Sequence, residues 1–295
     1  MAILCDSRGE FTILLVDLLS AGCEILESRE GSDYPLVSSS TLIVKGKEQK
    51  EVMMAAIGDT AGEVCVWVIP VSKGKEEERE EREEREEGGY RKVVKYNAHA
   101  MGTNSVHLSA LERRGQEYTR LLLCSGGDDQ SITVCLLDFH AREEREEERV
   151  QVLACCRFEG CMGSAVKGIT YLSSPLSGQS GHLVGVGYDQ RLSLWKLHLN
   201  ESALEREERT GGSLSPIIVT RMPRDVQTKE GHSGFDVGLE WLTGCLVNIG
   251  DINALHLVSD ICNQAEMTAE ESMLPPRRVA LVVGEGFQVF ELNVQ

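Results

Sequence analysis

The sequence predicts an all-β chain, and three observations carry that expectation. Five stretches, 2–16, 54–67, 123–135, 183–195 and a shortened 279–290, share one pattern: an apolar strand, a tight polar turn, then a second apolar strand. The second strand alternates at period two, as in Val64 and Val66 or Leu192 and Leu194, which is the spacing of a strand. Across 295 residues glycine (29) far outnumbers proline (7) and aromatics make up only 5%, a balance that suits short strands and tight turns better than packed helices. With 41% hydrophobic residues the chain can bury a real core, which excludes wholesale disorder.

Each hairpin carries Gly or Asp at its turn, which supplies the backbone freedom a tight connection needs. Upstream of most copies lies another apolar run ending in a polar loop, at 104–111, 166–172 and 236–242, and a further strand precedes those, as at 91–96. Four strands per unit, recurring at roughly 40–60 residues, is the signature of β-propeller blades. The chain opens at Ala2 already in the third strand of a unit, and about four and a half units can be identified. The expectation is an incomplete propeller of four to five blades spanning 1–295, the C-terminal part of a longer protein or a chain closed by a partner. Its two end sheets would expose apolar side chains, because a ring protects its sheet edges only when it closes.

Charged, low-complexity segments interrupt the units. The longest, 73–89, repeats Glu-Glu-Arg every three residues, a period that makes no helical stripe. It reads as a solvated or disordered insertion, with an acidic docking tail as the functional alternative. Shorter relatives occupy 141–149 and 201–213, and a further insertion is drawn at 252–276, inside the last blade and weakly helical around 267–272.

The net charge of -17 argues against a chain that binds phosphate backbones as a whole. Small basic points at 221–224 and 275–278 have no interleaved aromatic platform and read as ordinary loop charge. No apolar run is long enough to span a membrane, and the first residues lack the pattern of a secretory signal. The ten cysteines include no Cys-x-x-Cys pair, and the one cluster, Cys155, Cys156 and Cys161, has no histidine spacing that would complete a zinc site. A reduced, soluble, cytoplasmic protein is expected. Phosphate loops, nucleophile elbows and His-Glu-x-x-His motifs are absent from the sequence, and the seven histidines are scattered. No catalytic residue, cofactor site or metal site is therefore assigned. Membrane and DNA partners are not expected either.

Two features resemble the WD repeat. Trp67 and Trp195 end the last strand of their units, and Asp129 and Asp189 sit in the preceding turns. In that family the turn Asp pairs with a His at the head of the first strand, and Ala98-His99 is the good match, in the same unit as Asp129. The resemblance implies a structural network of His99, Ser125, Asp129, Asp189, Trp67 and Trp195. More specifically, 99–107, 124–130, 188–197, 236–241 and 282–290 are similar, in that order, to the last blades of the WD repeat-containing protein 6 family. The likeness covers roughly 90–295; the Glu/Arg insertions and the loop at 252–276 depart from it.

That resemblance implies a non-catalytic cytoplasmic subunit that binds a tRNA 2'-O-methyltransferase and helps place tRNA for ribose methylation at the wobble nucleotide. S-adenosylmethionine would be bound by the partner enzyme, and tRNA would be met indirectly or through a limited surface. Candidate partner contacts are the polar loop and turn residues Asn104, Ser105, Gln130, Gln190 and Arg191, together with His99, Asp129 and Asp189, of which His99 and Asp129 are read as bracing their blade. The alternative is a generic WD40 protein-interaction adaptor, such as a ubiquitin-ligase substrate receptor.

Overall fold

A computed structural model describes residues 2–17, 22–45, 51–71, 91–114, 118–140, 149–173, 180–200, 218–221, 236–259 and 278–292. The first sheet holds β1 (Ala2–Cys5), β2 (Glu10–Asp17) and β3 (Gly22–Glu30) in that order. The second holds β4 (Leu36–Lys45), β5 (Glu51–Asp59), β6 (Glu63–Pro70) and β7 (Arg91–Asn97). The third holds β8 (Thr103–Arg114), β9 (Tyr118–Gly127), β10 (Ile132–His140) and β11 (Arg149–Phe158). The fourth joins β12 (Val166–Ser173), β13 (Ser180–Gly187) and β14 (Arg191–Asn200) to β16 (Asp236–Leu246), while β15 (Ile218–Arg221) adds to β11 as a parallel fifth strand of the third sheet. The last sheet is β17 (Ala254–Ser259), β18 (Arg278–Gly284) and β19 (Gly286–Leu292).

These antiparallel sheets succeed one another in chain order, and β1 packs on β4, β4 on β8, β8 on β12 and β12 on β17. The fold is thus an all-β partial propeller: three blades with the full complement of four strands, flanked by two three-stranded ones. Register repeats from blade to blade. A bulge opens the first strand at Leu36/Ser38, Thr103/Ser105 and Val166/Gly168. A second bulge interrupts the outer pairing at Ile13/Leu14, Val66/Trp67 and Leu194/Trp195, and two residues further along β10 in the third sheet. Such recurrence marks one structural unit used repeatedly.

Burial explains why the central strands read as continuous apolar runs. Val64, Val66 and Val68 of β6 face the third sheet in a cluster with Leu121, Leu123, Leu137 and Phe139, whereas Cys65, Trp67 and Ile69 face the first sheet with Phe11 and Ile13. Leu122, Val134 and Phe158 meet Ile169, Trp195 and Leu197 between the third and fourth sheets, and Val184, Val186 and Leu192 meet Leu255, Ala280 and Val282 between the fourth and fifth. A sheet covered on both sides has no polar face. The end sheets differ: Leu4 and Ile25 in the first, and Phe287 and Val289 in the last, are exposed.

Four sequence assignments are corrected. The strand at 91–96 is β7 and closes the second sheet by pairing with β6, although it precedes the third unit in sequence. Likewise 236–242, read as an inner run, lies in β16, the outer strand paired with β14. The insertion drawn at 252–276 begins too early, because Ala254–Ser259 form β17 and pair with β18. Arg149, counted with the charged run at 141–149, opens β11. The segments 73–89, 141–148 and 201–213, the helical tendency at 267–272, and the basic points beyond Arg221 and before Arg278 lie outside the described residues. Among the described residues no helix is long and apolar enough to cross a membrane.

Candidate functional site

The loops that enter each first strand and the hairpin turns between the second and third strands share one end of the molecule, and similar backbone bonds tie them. Thr60, Asp128, Tyr188 and Glu285 donate their N–H groups to the carbonyls of Pro35, Gly102, Ala165 and Gly250. Each bond satisfies a loop carbonyl and a turn amide that would otherwise turn to water, and so ties the rim to the strands beneath it.

In the third sheet this rim contains a buried polar network. His99, 2% exposed, places Nδ1 at 3.1 Å from Asp129 Oδ1 and 2.9 Å from Ser131 Oγ, and Nε2 at 2.9 Å from Ser125 Oγ. With the Nδ1 proton directed at the carboxylate, Nε2 accepts from the Ser125 hydroxyl. Asp129 also accepts from the Ala100 amide at 2.8 Å, the Ser131 amide at 3.1 Å and the Ser131 hydroxyl at 2.6 Å. Partial burial by itself would raise the Asp129 pKa, but the donors from His99, Ser131 and Ala100 outweigh it and hold the carboxyl well below its usual range. Gly127 is required beside them, since a Cβ there would lie 2.5 Å from His99 Cγ and 2.6 Å from Asp129 Oδ1. The loop is anchored further by Thr133 Oγ1 and Arg157 Nε, each donating to the Ala98 carbonyl at 2.8 Å. This is a brace joining two turns, with every nitrogen of His99 engaged.

The remaining expected members sit elsewhere. Trp67 belongs to the core between the first two sheets, its ring 5.1 Å from Phe11 in an edge-on arrangement with Lys92 Nζ 5.0 Å above it. Trp195 is fully buried between the third and fourth sheets. Both tryptophans therefore act through packing, and the strand position they share is occupied by Cys135 in the sheet that holds His99. Asp189 lies in the fourth sheet, its amide donating to Ser164 Oγ at 2.8 Å. Sequence reasoning missed two participants. One is Ser131; the other is the second-sheet counterpart, where Ser32 Oγ donates to the buried Asp59 Oδ2 at 2.5 Å while the Ala61 and Glu63 amides bond Oδ1 at 2.9 Å. Ser32 and His99 each stand four residues before their first strand, the spacing by which it could have been found.

The candidate contact residues divide. Ser105 accepts from the Ile169 amide at 2.9 Å, so it links two sheets and is a structural residue. Gln130 and Gln190 are exposed at turn positions with φ of 64° and 61°. Asn104 Nδ2 donates to Asp128 Oδ1 at 2.6 Å, with Lys167 Nζ 3.7 Å from the same oxygen and 6.0 Å from the Tyr188 ring. Exposed Tyr34, Met101 and Tyr188 add apolar area to the same rim.

Among the described residues no group of three His, Cys, Asp or Glu side chains could hold a metal ion. Cys5, Cys65, Cys124, Cys135, Cys155, Cys156, Cys161 and Cys245 are free thiols, and Cys155 and Cys156 face opposite cores. Burial pushes the Cys65 thiol up to about 11 and Cys161 up to about 12, which keeps both protonated.

No known protein-family model matches the chain, and no curated protein does. Among solved structures, the crystal structure of Saccharomyces cerevisiae Sqt1 is similar over 99% of this chain and 81% of that one, at 11% identity with a TM-score of 0.41. At that identity and score the likeness assigns neither a partner nor an activity.

Proposed function

We propose that this chain is a non-catalytic WD-type scaffold subunit that works in the cytoplasm. It binds a tRNA 2'-O-methyltransferase and helps position tRNA for ribose methylation at the wobble nucleotide. The observation that carries the reading is the rim: side chains of mixed character, Met101, Asn104, Gln130, Tyr188, Gln190 and Arg191, stand on loops and strand ends tied by repeated backbone bonds. A rigid frame with such a rim suits holding two macromolecules in register, where pre-set orientation is itself the contribution to rate. His99, the histidine best placed to look catalytic, is occupied on both ring nitrogens by structural bonds. The family resemblance of 99–107, 124–130 and 188–197 supplies the identity of the partner.

The test is affinity capture with the full chain, followed by identification of the bound proteins. The methyltransferase is expected, with recovery cut at least tenfold by Met101→Asp combined with Tyr188→Ala. Recovery of a cullin-type ligase in its place would replace this reading with the adaptor one.

A further inference from the structure

The fourth sheet repeats the third with three side chains exchanged. By register Gly185 stands where Ser125 stands, and Arg191 where Ser131 stands. Met162, four residues before β12, holds the place of His99, four residues before β8. The glycines agree: a Cβ on Gly187 would meet Met162 Cε at 2.9 Å, as one on Gly127 would meet His99. A thioether donates no hydrogen bond. Asp189 thus keeps the carboxylate of Asp129 without its donors. Its Oδ1 is buried and accepts no hydrogen bond among the described residues, and Arg191 Nε stands 4.0 Å from Oδ2 on a side chain that is 68% exposed. The side chain is still 25% exposed, so a cation entering from solvent can reach the carboxylate while Oδ1 stays buried and without a hydrogen bond among the described residues.

Beside it opens a cleft of about 380 Å³ between the loop before β12, the β13–β14 turn and β16, lined by Met162, Asp189, Arg191, Trp241 and Leu246 among others. Trp241 is exposed, and Leu246 more so. We propose that this cleft binds the guanidinium of an arginine side chain on a partner's peptide. A planar guanidinium can donate in its plane to Asp189 at one end of the cleft and is less strongly hydrated than an ammonium, while Trp241, paired with Trp195 further along β14, offers an apolar surface to the neighbouring peptide residues. The cleft has ample volume for one such side chain, and the chain's net charge of -17 draws basic segments toward it. A phosphate would be repelled by the same carboxylate. The inference stands on Asp189 and its surroundings alone and does not depend on which protein the scaffold carries.

The probe is a short peptide with one arginine flanked by neutral residues, titrated into the full chain and followed by calorimetry and tryptophan fluorescence. The isosteric but uncharged citrulline peptide serves as its control. Saturable binding of the arginine peptide is expected, at least tenfold tighter than the citrulline peptide, and at least tenfold weakened by Asp189→Asn. Met162→His, which restores the donor that Asp129 enjoys, is expected to abolish binding while raising Tm, and it decides the matter if the Asn variant does not fold. Equal binding of the two peptides, undiminished binding by Asp189→Asn, or no saturable binding at millimolar peptide would each overturn the proposal.

Discussion

Met162 occupies in the fourth sheet the position that His99 holds in the third, each resting against the glycine that begins its hairpin turn. One backbone arrangement is therefore stabilised in two ways. In the third sheet a polar network bridges loop and turn; in the fourth, Gly185 in place of Ser125 lets the Trp195 ring approach, since a Cβ there would lie 2.9 Å from it. Polar bracing and aromatic packing are alternatives at this place.

Removing the brace should therefore be costly. His99→Ala leaves Asp129 and Ser125 without their buried partner and is expected to destabilise the fold by about 2–4 kcal/mol. Met162→Leu, which conserves volume and loses no donor, should cost less than about 1.5 kcal/mol. Urea denaturation of the two variants beside the parent chain measures both.

Acid should weaken the molecule in two stages. His107, on β8 and 2.8 Å from Ser109 Oγ, is pushed down by burial to about 4. Its folded pKa lies below its unfolded value of about 6.5, so the unfolded chain takes up the proton first and stability falls as pH drops from about 6.5 to 4. The loss is up to about 3 kcal/mol, and His107→Gln should flatten the profile in that window. Asp129 is also depressed when folded, so its contribution is present above the unfolded carboxylate value near 3.9 and is lost as pH falls further below it. A stability profile from pH 7 to 2 separates the two stages.

Arg120 and Asp138 face each other across β9 and β10 with bonds of 2.9 and 3.2 Å, both side chains nearly buried. Asp138→Ala takes a doubly bonded carboxylate away from a nearly buried guanidinium and should destabilise the fold by roughly 3 kcal/mol. Replacing both residues with leucine should cost far less, because neither desolvated charge remains. Thermal unfolding of the single and double variants gives the comparison.

Gly62 and Gln130 hold the same turn position with φ of 89° and 64°. A Cβ on Gly62 would come within 2.3 Å of the Met101 carbonyl oxygen, with the His99 oxygen at 2.4 Å. Gly62→Ala should destabilise by at least about 2 kcal/mol, whereas Gln130→Gly should change stability by less than about 1 kcal/mol. Denaturation midpoints of the two variants test the contrast.

The hairpins were legible because their information is local: alternation in β6 and β14 and a Gly or Asp turn suffice to write a strand, a reversal and a strand. Sheet membership of β7 and β16 was not, since pairing with the preceding strand rather than the following one is decided by tertiary packing. β17 has six residues and adjoins a polar stretch, too little periodicity to stand out. In the site, His99 and Asp129 announced themselves by spacing, while Ser32 and Asp59 did not, because serine stands at the histidine's place and Asp59 lies two residues earlier in its turn than Asp129 does. Ser105 looked like a free polar residue; the bulge at Thr103/Ser105 leaves it bonding to the next sheet instead.

The most direct measurement of the central claim, that this molecule holds other molecules and leaves the chemistry to them, is methyl transfer from labelled S-adenosylmethionine to tRNA in a purified system. With the methyltransferase present, the chain should raise wobble-ribose methylation, and without the enzyme it should transfer no label. Transfer by the chain alone, or an enzyme indifferent to its presence, would contradict the account.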